Sequence, residues 1–341
     1  MTTPEYPFAD PPAPGATTEV APGVHWLRMA LPFQLDHINL WLLEDDDAWL
    51  LVDTGLGNDP TRAMWEKVFQ EKIGAKPVKR VLVTHYHPDH AGNAAWLCAR
   101  TGAGLWMTRG EYLTVHAARH GAAGYSPEAQ KGLFRANGLD EMQANALLAR
   151  GGLYKKLVPD FPFSHRRLFE GERITIGRRG WKVIVGYGHA PEHASLHCEA
   201  LNLLISGDML LPRISTNVAV RPIDPWSNPL RLFLDSIRRY RDLPEDILVL
   251  PSHGLPFRGA HARIAQLEAH HAERLAELQS ACAASPRNAA QVLELLFRRK
   301  LDTSQIFFAM GEAIAHLHYL HYDGRLARSI GADGVARFAP A

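Results

Sequence analysis

A layered α/β fold is predicted by three observations. Short β-branched runs each end in a His or Asp; helix-forming segments lie between several of these runs; and acidic turn chemistry marks an antiparallel opening. With 341 residues the chain can bury one large core and carry a smaller appendage.

Residues 1–20 are expected to form a flexible tail: the first eighteen are rich in Pro, Ala and Thr, with two acids and no basic residue, which excludes a secretion signal. Segments 24–29, 37–43 and 48–53 read as strands, the last two separated by Glu44-Asp45-Asp46-Asp47. Residues 60–74 read as a helix capped by Asp59, with Met64, Val68 and Ile73 as its buried stripe. The run Val81-Leu82-Val83-Thr84 is a buried strand, followed by a polar cluster, an Ala-rich helix over 91–99 and a strand over 104–107.

Between 109 and 167 the strand rhythm stops. Helices are expected over 111–120, 127–137 and 140–150, the last two capped by Ser126 and Leu139-Asp140. Placed as a lid, this helical insertion would offer an apolar wall of residues such as Tyr112, Phe134, Leu139, Leu147 and Phe161 to a hydrophobic substrate portion. The competing reading is that these side chains form a small core of their own or a homodimer contact. Residues 259–341 form a third region: Ile264, Leu267, His271, Leu275 and Leu278 recur at helical spacing, helices are expected over 289–299 and 305–320, and Gly331-Ala332-Asp333-Gly334 reads as a hairpin turn. Helices followed by a hairpin suggest a winged-helix-like extension. His316, His318 and His321 do not share one helix face and are read as surface or core histidines.

Net charge is +1 with pI near 7.9, and residues 260–341 hold nine basic against eight acidic side chains, so no electrostatic footprint for nucleic acid or a membrane is visible. Arg298-Arg299-Lys300 reads as a solvated helix end. Cys98, Cys198 and Cys282 are odd in number and widely spaced, which argues against a disulfide framework and for a reducing compartment. No apolar run reaches the length of a membrane span, and the protein is expected to be soluble and cytoplasmic.

Chemistry concentrates in His85-Tyr86-His87-Pro88-Asp89-His90, directly after a buried strand. A loop with three His can be a solvated turn, so the test is whether other strand ends supply more ligands. They do: His189 follows the run 181–187, Asp208 follows 201–205, and His253 follows 247–250. Alternation lets His85 and His87 face one centre while Asp89 and His90 turn toward a second, with Asp208 able to bridge.

These residues, with Leu51-Val52-Asp53-Thr54-Gly55 before them, resemble the motifs of the metallo-β-lactamase-fold hydrolases, in that family's order and over roughly residues 21–258. The resemblance implies a four-layer αββα sandwich as catalytic domain over 21–258. It implies one metal on His85, His87 and His189, another on Asp89, His90 and His253, a bridging Asp208, and Asp53 supporting the metal loop from behind. Antibiotic-degrading members commonly place a Cys in the second site; Asp and His here match the glyoxalase II, lactonase and nuclease branches, which points away from a β-lactam substrate. Two metals about 3.5–4 Å apart can share a water and lower its pKa. Zinc is the expected ion, with iron and manganese accepted by the same ligands. Asp89 and Asp208 would orient the hydroxide, and Tyr86, Tyr187 and His193 are candidates for leaving-group protonation, oxyanion binding or support of the ligands. The expected reaction is hydrolysis of a thioester or lactone in a small-molecule substrate with an acyl or other apolar part. A metal-dependent endoribonuclease or phosphodiesterase, and a mononuclear iron persulfide dioxygenase, are the alternatives.

Overall fold

The computed structural model describes residues 3–148, 151–298 and 300–341. They fall into two compact units: Met1–Arg119, Tyr154–Thr216 and Ile237–Ile264 in the first; His120–Leu153, Asn217–Ser236 and Ala265–Ala341 in the second.

The first unit contains two sheets. One runs β1 (Thr17–Ala21), β2 (Val24–Ala30), β3 (His37–Asp45), β4 (Ala48–Val52), β5 (Val78–Leu82), β6 (Gly104–Met107), β7 (Arg166–Arg167) in spatial order, antiparallel up to β4 and parallel from β4 onward. The other contains β8 (Arg173–Ile176), β9 (Arg179–Gly186), β10 (His193–Cys198), β11 (Leu203–Gly207) and β12 (Leu248–Pro251), ordered β12-β11-β10-β9-β8; only β11 and β12 pair in parallel. Alternate side chains of both sheets meet in one core that includes Trp26, Trp41, Leu50, Val52 and Leu82 from the first sheet and Trp181, Val183, Leu196, Ile205 and Leu250 from the second. Each fully buried aliphatic side chain stabilises such a core by about 1.5–3 kcal/mol relative to exposure. The helix Ala94–Thr101 packs outside β5 and β6, as the layered reading requires.

Local signals differ from expectation in several places. The helix after β4 spans Asp59–Val68, and Asn58 rather than Asp59 caps it by accepting from Thr61 N at 2.9 Å. It continues as a π-helical turn over Phe69–Ile73, and Trp65, not Met64, is the large buried side chain on its inner face. Residues 1–20 are not a free tail over their described length. Glu5 and Arg258 exchange backbone hydrogen bonds of 3.1 and 2.8 Å, Arg213 lies over the Tyr6 ring, and Phe8 packs against the core.

The insertion does not behave as one body. Arg109–His120 and the chain from Tyr154 onward belong, apart from His120 itself, to the first unit. Pro127–Arg135 and Glu141–Leu148, capped by Ser126 and Asp140 as expected, belong to the second. The expected helical positions 149 and 150 lie outside the described residues. Phe134, Leu139 and Leu147 are buried, with Phe134 edge-on to Phe307. Their apolar surface is therefore spent on a core shared with the C-terminal helices rather than offered as a wall. That second unit also holds most of Ala260–Ala284, the turn Ala290–Val292 with Leu293–Leu296, the helix Thr303–Tyr322 with a capping box on Asp302, and the hairpin β13 (Leu326–Ile330) and β14 (Ala336–Pro340). The expected helix over 289–299 is thus shorter, and position 299 lies outside the described residues. His316 and His318 are buried. Among the described residues no helix is long and apolar enough to cross a membrane.

Candidate metal centre

Strand direction assembles the site. β4 and β5 run parallel, so Asp53 and the 85–90 loop leave the first sheet at the same edge. β9 and β11 both run antiparallel to β10, and β12 is parallel to β11, so His189, Asp208 and His253 all follow C-terminal strand ends on one edge of the second sheet.

Two groups of candidate ligand atoms result. In the first, His85 Nε2 lies 2.8 Å from His87 Nδ1 and 3.2 Å from His189 Nε2, and Asp208 Oδ2 lies 3.8 Å from His85 Nε2 and 3.4 Å from His189 Nε2. In the second, Asp89 Oδ2 is 3.6 Å from His90 Nε2 and 3.4 Å from His253 Nε2, while Asp208 Oδ1 lies 3.6 and 3.4 Å from the same two nitrogens. Ligand atoms held tetrahedrally by zinc are about 3.3–3.4 Å apart, and both groups cluster around that spacing. Asp208 turns one oxygen toward each group. His90 Nε2 and Asp208 Oδ1 are buried without a hydrogen-bond partner, an arrangement that is costly for the protein alone and is relieved by a cation. The nitrogen and oxygen donor set suits a divalent metal.

The ring orientations are fixed from behind. Asp53 adopts a left-handed backbone (φ 62°) and accepts from Thr84 N at 2.7 Å, from the Thr84 hydroxyl, and from His90 Nδ1 at 2.8 Å. This bond turns His90 Nδ1 toward Asp53 and Nε2 toward the group. His253 Nδ1 donates to the His37 carbonyl at 2.8 Å with the same consequence. His37 Nε2 accepts from Gly254 N at 2.8 Å, and Asn39 donates to the carbonyls of Pro251 and Gly254, so β3 holds the His253 loop of the opposite sheet. His193 Nε2 accepts from Asp208 N at 3.1 Å. Gly207 makes this possible, because with φ 54° a Cβ there would lie 2.3 Å from His193 Nε2.

Electrostatics keep the acids ionised. Burial works to raise Asp208, but His253, His90 and His189 outweigh it and hold its carboxyl well below the ordinary value. Asp89 is lowered in the same way by His90 and His253. Burial and the neighbouring imidazoles hold His85 well below its ordinary value, which keeps it neutral and basic toward a cation.

All seven sequence-predicted ligand candidates, His85, His87, Asp89, His90, His189, Asp208 and His253, come together, with Asp53 behind them. The other candidates have varied placements. Tyr86 is buried, and its ring stacks near that of Tyr154, whose hydroxyl donates to the Tyr86 carbonyl. His193 is fully buried, burial pushes it down to about 3, and its Nε2 accepts from Asp208 N. Tyr187, 39% exposed, remains open to solvent. Sequence reasoning missed His37, Asn39, Thr84 and Glu111. Glu111 is fully buried and accepts from Tyr86 N at 2.9 Å and from Glu192 N at 2.6 Å; burial works to raise its pKa, and the two N–H groups work to keep it ionised. These four are common residue types without a motif around them, and only Thr84 adjoins a ligand.

The family model of the metallo-beta-lactamase superfamily matches residues 34–253, and that of the metallo-beta-lactamase-like C-terminal domain matches residues 275–341. A curated relative, the probable metallo-hydrolase YqjP of Bacillus subtilis (strain 168), is 26% identical over 303 residues, covering 86% of this chain and 91% of that protein. Among solved structures, a beta-lactamase domain protein from Burkholderia ambifaria is 50% identical with a TM-score of 0.93, covering 99% of this chain and 98% of its own. The metallo-beta-lactamase family protein TTHA1429 from Thermus thermophilus is 29% identical with a TM-score of 0.80, covering 95% of this chain and 100% of its own. With a family match over more than half its length, set on the two sheets and the His/Asp cluster between their edges, the chain belongs to the metallo-β-lactamase superfamily and is an enzyme of its metallo-hydrolase class.

Proposed function

We propose that the protein hydrolyses an ester-type bond, a thioester or lactone, in a small molecule with an apolar portion, using two divalent ions, zinc by preference. The observation that carries this reading is Asp208, whose two oxygens face two separate groups of candidate ligands. His85, His87 and His189 would hold one ion, Asp89, His90 and His253 the other, and Asp208 both. When bound, such ions lower the pKa of a water and polarise a scissile carbonyl. The chain's own part is positional. Asp53 and the His37 carbonyl fix the imidazole tautomers, His193 fixes the backbone of Asp208, and the ionised Asp89 and Asp208 accept hydrogen bonds from a water placed between the groups. Tyr187, exposed and just ahead of His189 in the chain, is proposed to donate a hydrogen bond to the substrate oxygen.

The near-neutral charge supports a small-molecule substrate over nucleic acid. Metal analysis of purified protein, followed by assays on acyl thioesters, lactones and phosphodiesters, tests the reading. Two equivalents of metal and turnover of a thioester or lactone are expected. Turnover of phosphodiesters alone would sink the ester reading, and one iron with sulfur-dependent oxygen uptake would replace it by the dioxygenase.

A further inference from the structure

We infer that Glu111 is a positioning residue for the metal centre: its single buried carboxylate sets the separation between the loop carrying His85 and His87 and the loop carrying His189. This rests on the metal reading above.

The carboxylate is shared between the two loops. Oε2 accepts from Tyr86 N at 2.9 Å, the residue between His85 and His87. Oε1 accepts from Glu192 N at 2.6 Å, three residues after His189 and one before His193. Neither bond is to a candidate ligand; together they join the backbone of one ligand loop on each sheet. The attachment is doubled around Glu192, whose carbonyl accepts from the Thr108 hydroxyl at 2.8 Å and whose Oε2 accepts from Gly110 N at 2.7 Å. Tyr154 closes the other side by donating to the Tyr86 carbonyl. Glu111 is 0% exposed in the first turn of the helix Arg109–His120, so its carboxylate cannot swing to other partners. Both donors are backbone N–H groups, that of Tyr86 buried and that of Glu192 part-buried, and a side chain able to accept at both ends at once is required.

Glutamine keeps the shape but presents an NH2 to one of the two N–H groups, so Glu111→Gln opens one arm of the clamp. Aspartate keeps both acceptors but is one methylene short, so Glu111→Asp reaches one loop at a time. Cobalt(II) replaces zinc in sites of this donor set and reports ligand geometry through its visible absorption. Metal-free full-length protein is titrated with cobalt(II) alone, with circular dichroism to verify folding. Wild type is expected to take up two equivalents. E111Q and E111D are expected to show a shifted visible spectrum and a loss of about 10–100-fold in affinity, the range typical when a group supporting the ligands is removed. That loss is expected in the equivalent held by His85, His87 and His189, identified by its absence in His189→Ala. An unchanged spectrum with affinities within twofold of wild type overturns the assignment of Glu111. So does failure of both variants to fold, which assigns Glu111 to folding alone. No cobalt binding by wild type instead overturns the metal reading itself.

Discussion

Replacing Gly207 by Ala tests whether the chain has built its metal-facing edge around the contact between His193 and Asp208. Gly207 has φ 54°, and an added Cβ would lie 2.3 Å from His193 Nε2 and 2.4 Å from its Cε1. His193 is fully buried, so it cannot swing into solvent to make room. Three costs follow. A non-glycine residue in the left-handed region costs about 1–2 kcal/mol, and overpacking a tight site costs about 1–3 kcal/mol. Displacing His193 also leaves the Asp208 N–H without its 3.1 Å acceptor, worth about 1–3 kcal/mol. These overlap, because relaxing the clash is what breaks the hydrogen bond, so a loss of about 3–5 kcal/mol is expected rather than their sum. Urea unfolding of metal-free protein, followed by tryptophan fluorescence, measures it without the added stabilisation that bound metal brings. Metal affinity should fall by at least about tenfold in the same variant, since Asp208 shifts with its backbone. A loss below about 1 kcal/mol with unchanged affinity would refute the reasoning.

Other expectations follow from the same geometry. His253→Ala should retain one metal equivalent and His85→Ala the other, read by elemental analysis; loss of both equivalents in each would show a single interdependent site. Burial holds His271 down to about 3 and His316 down to about 4, while both titrate near 6.5 when unfolded, so their stabilising contribution is present above pH 6.5 and drains away as pH falls toward 3. For His271 alone the shift is worth up to about 5 kcal/mol, and because it shares a 3.1 Å contact with His316 the two are not additive. His271→Gln should flatten the acid limb of stability between about pH 7 and 4, and an unaltered limb would exclude this source. Burial also pushes the Cys98 thiol up to about 11, so alkylation near pH 8 should be slow in the folded protein and fast in urea; rapid stoichiometric labelling of folded protein would contradict it.

The ligand candidates were legible because each is a chemically distinctive side chain set directly after an apolar run: His85, His189, Asp208 and His253 need no neighbour to announce them. Apart from Asp53 and His193, the groups that orient them were not legible. Asn39 works through carbonyls 212 and 215 residues away, and Glu111 through backbone amides whose identity is independent of side-chain type. Composition misread residues 1–20, because two backbone hydrogen bonds on Glu5 and the packing of Phe8 outweigh a Pro- and Ala-rich signature. Helices do form within residues 109–167, as Arg109–His120, Pro127–Arg135 and Glu141–Leu148, but helical spacing cannot say which body a helix joins. Phe134 and Leu147 face the second unit's interior for reasons that reside in the distant C-terminal helices.

Each ligand group draws on both sheets: His85 and His87 meet His189 and Asp208, while Asp89 and His90 meet His253 and Asp208. The gap between the two sheets therefore acts as a caliper for the chemistry. Trp41, Trp181 and Leu196 fill that gap, so a change of volume at any of them is expected to alter the spacing of the candidate ligands, which the metal affinity of the folded variant would report.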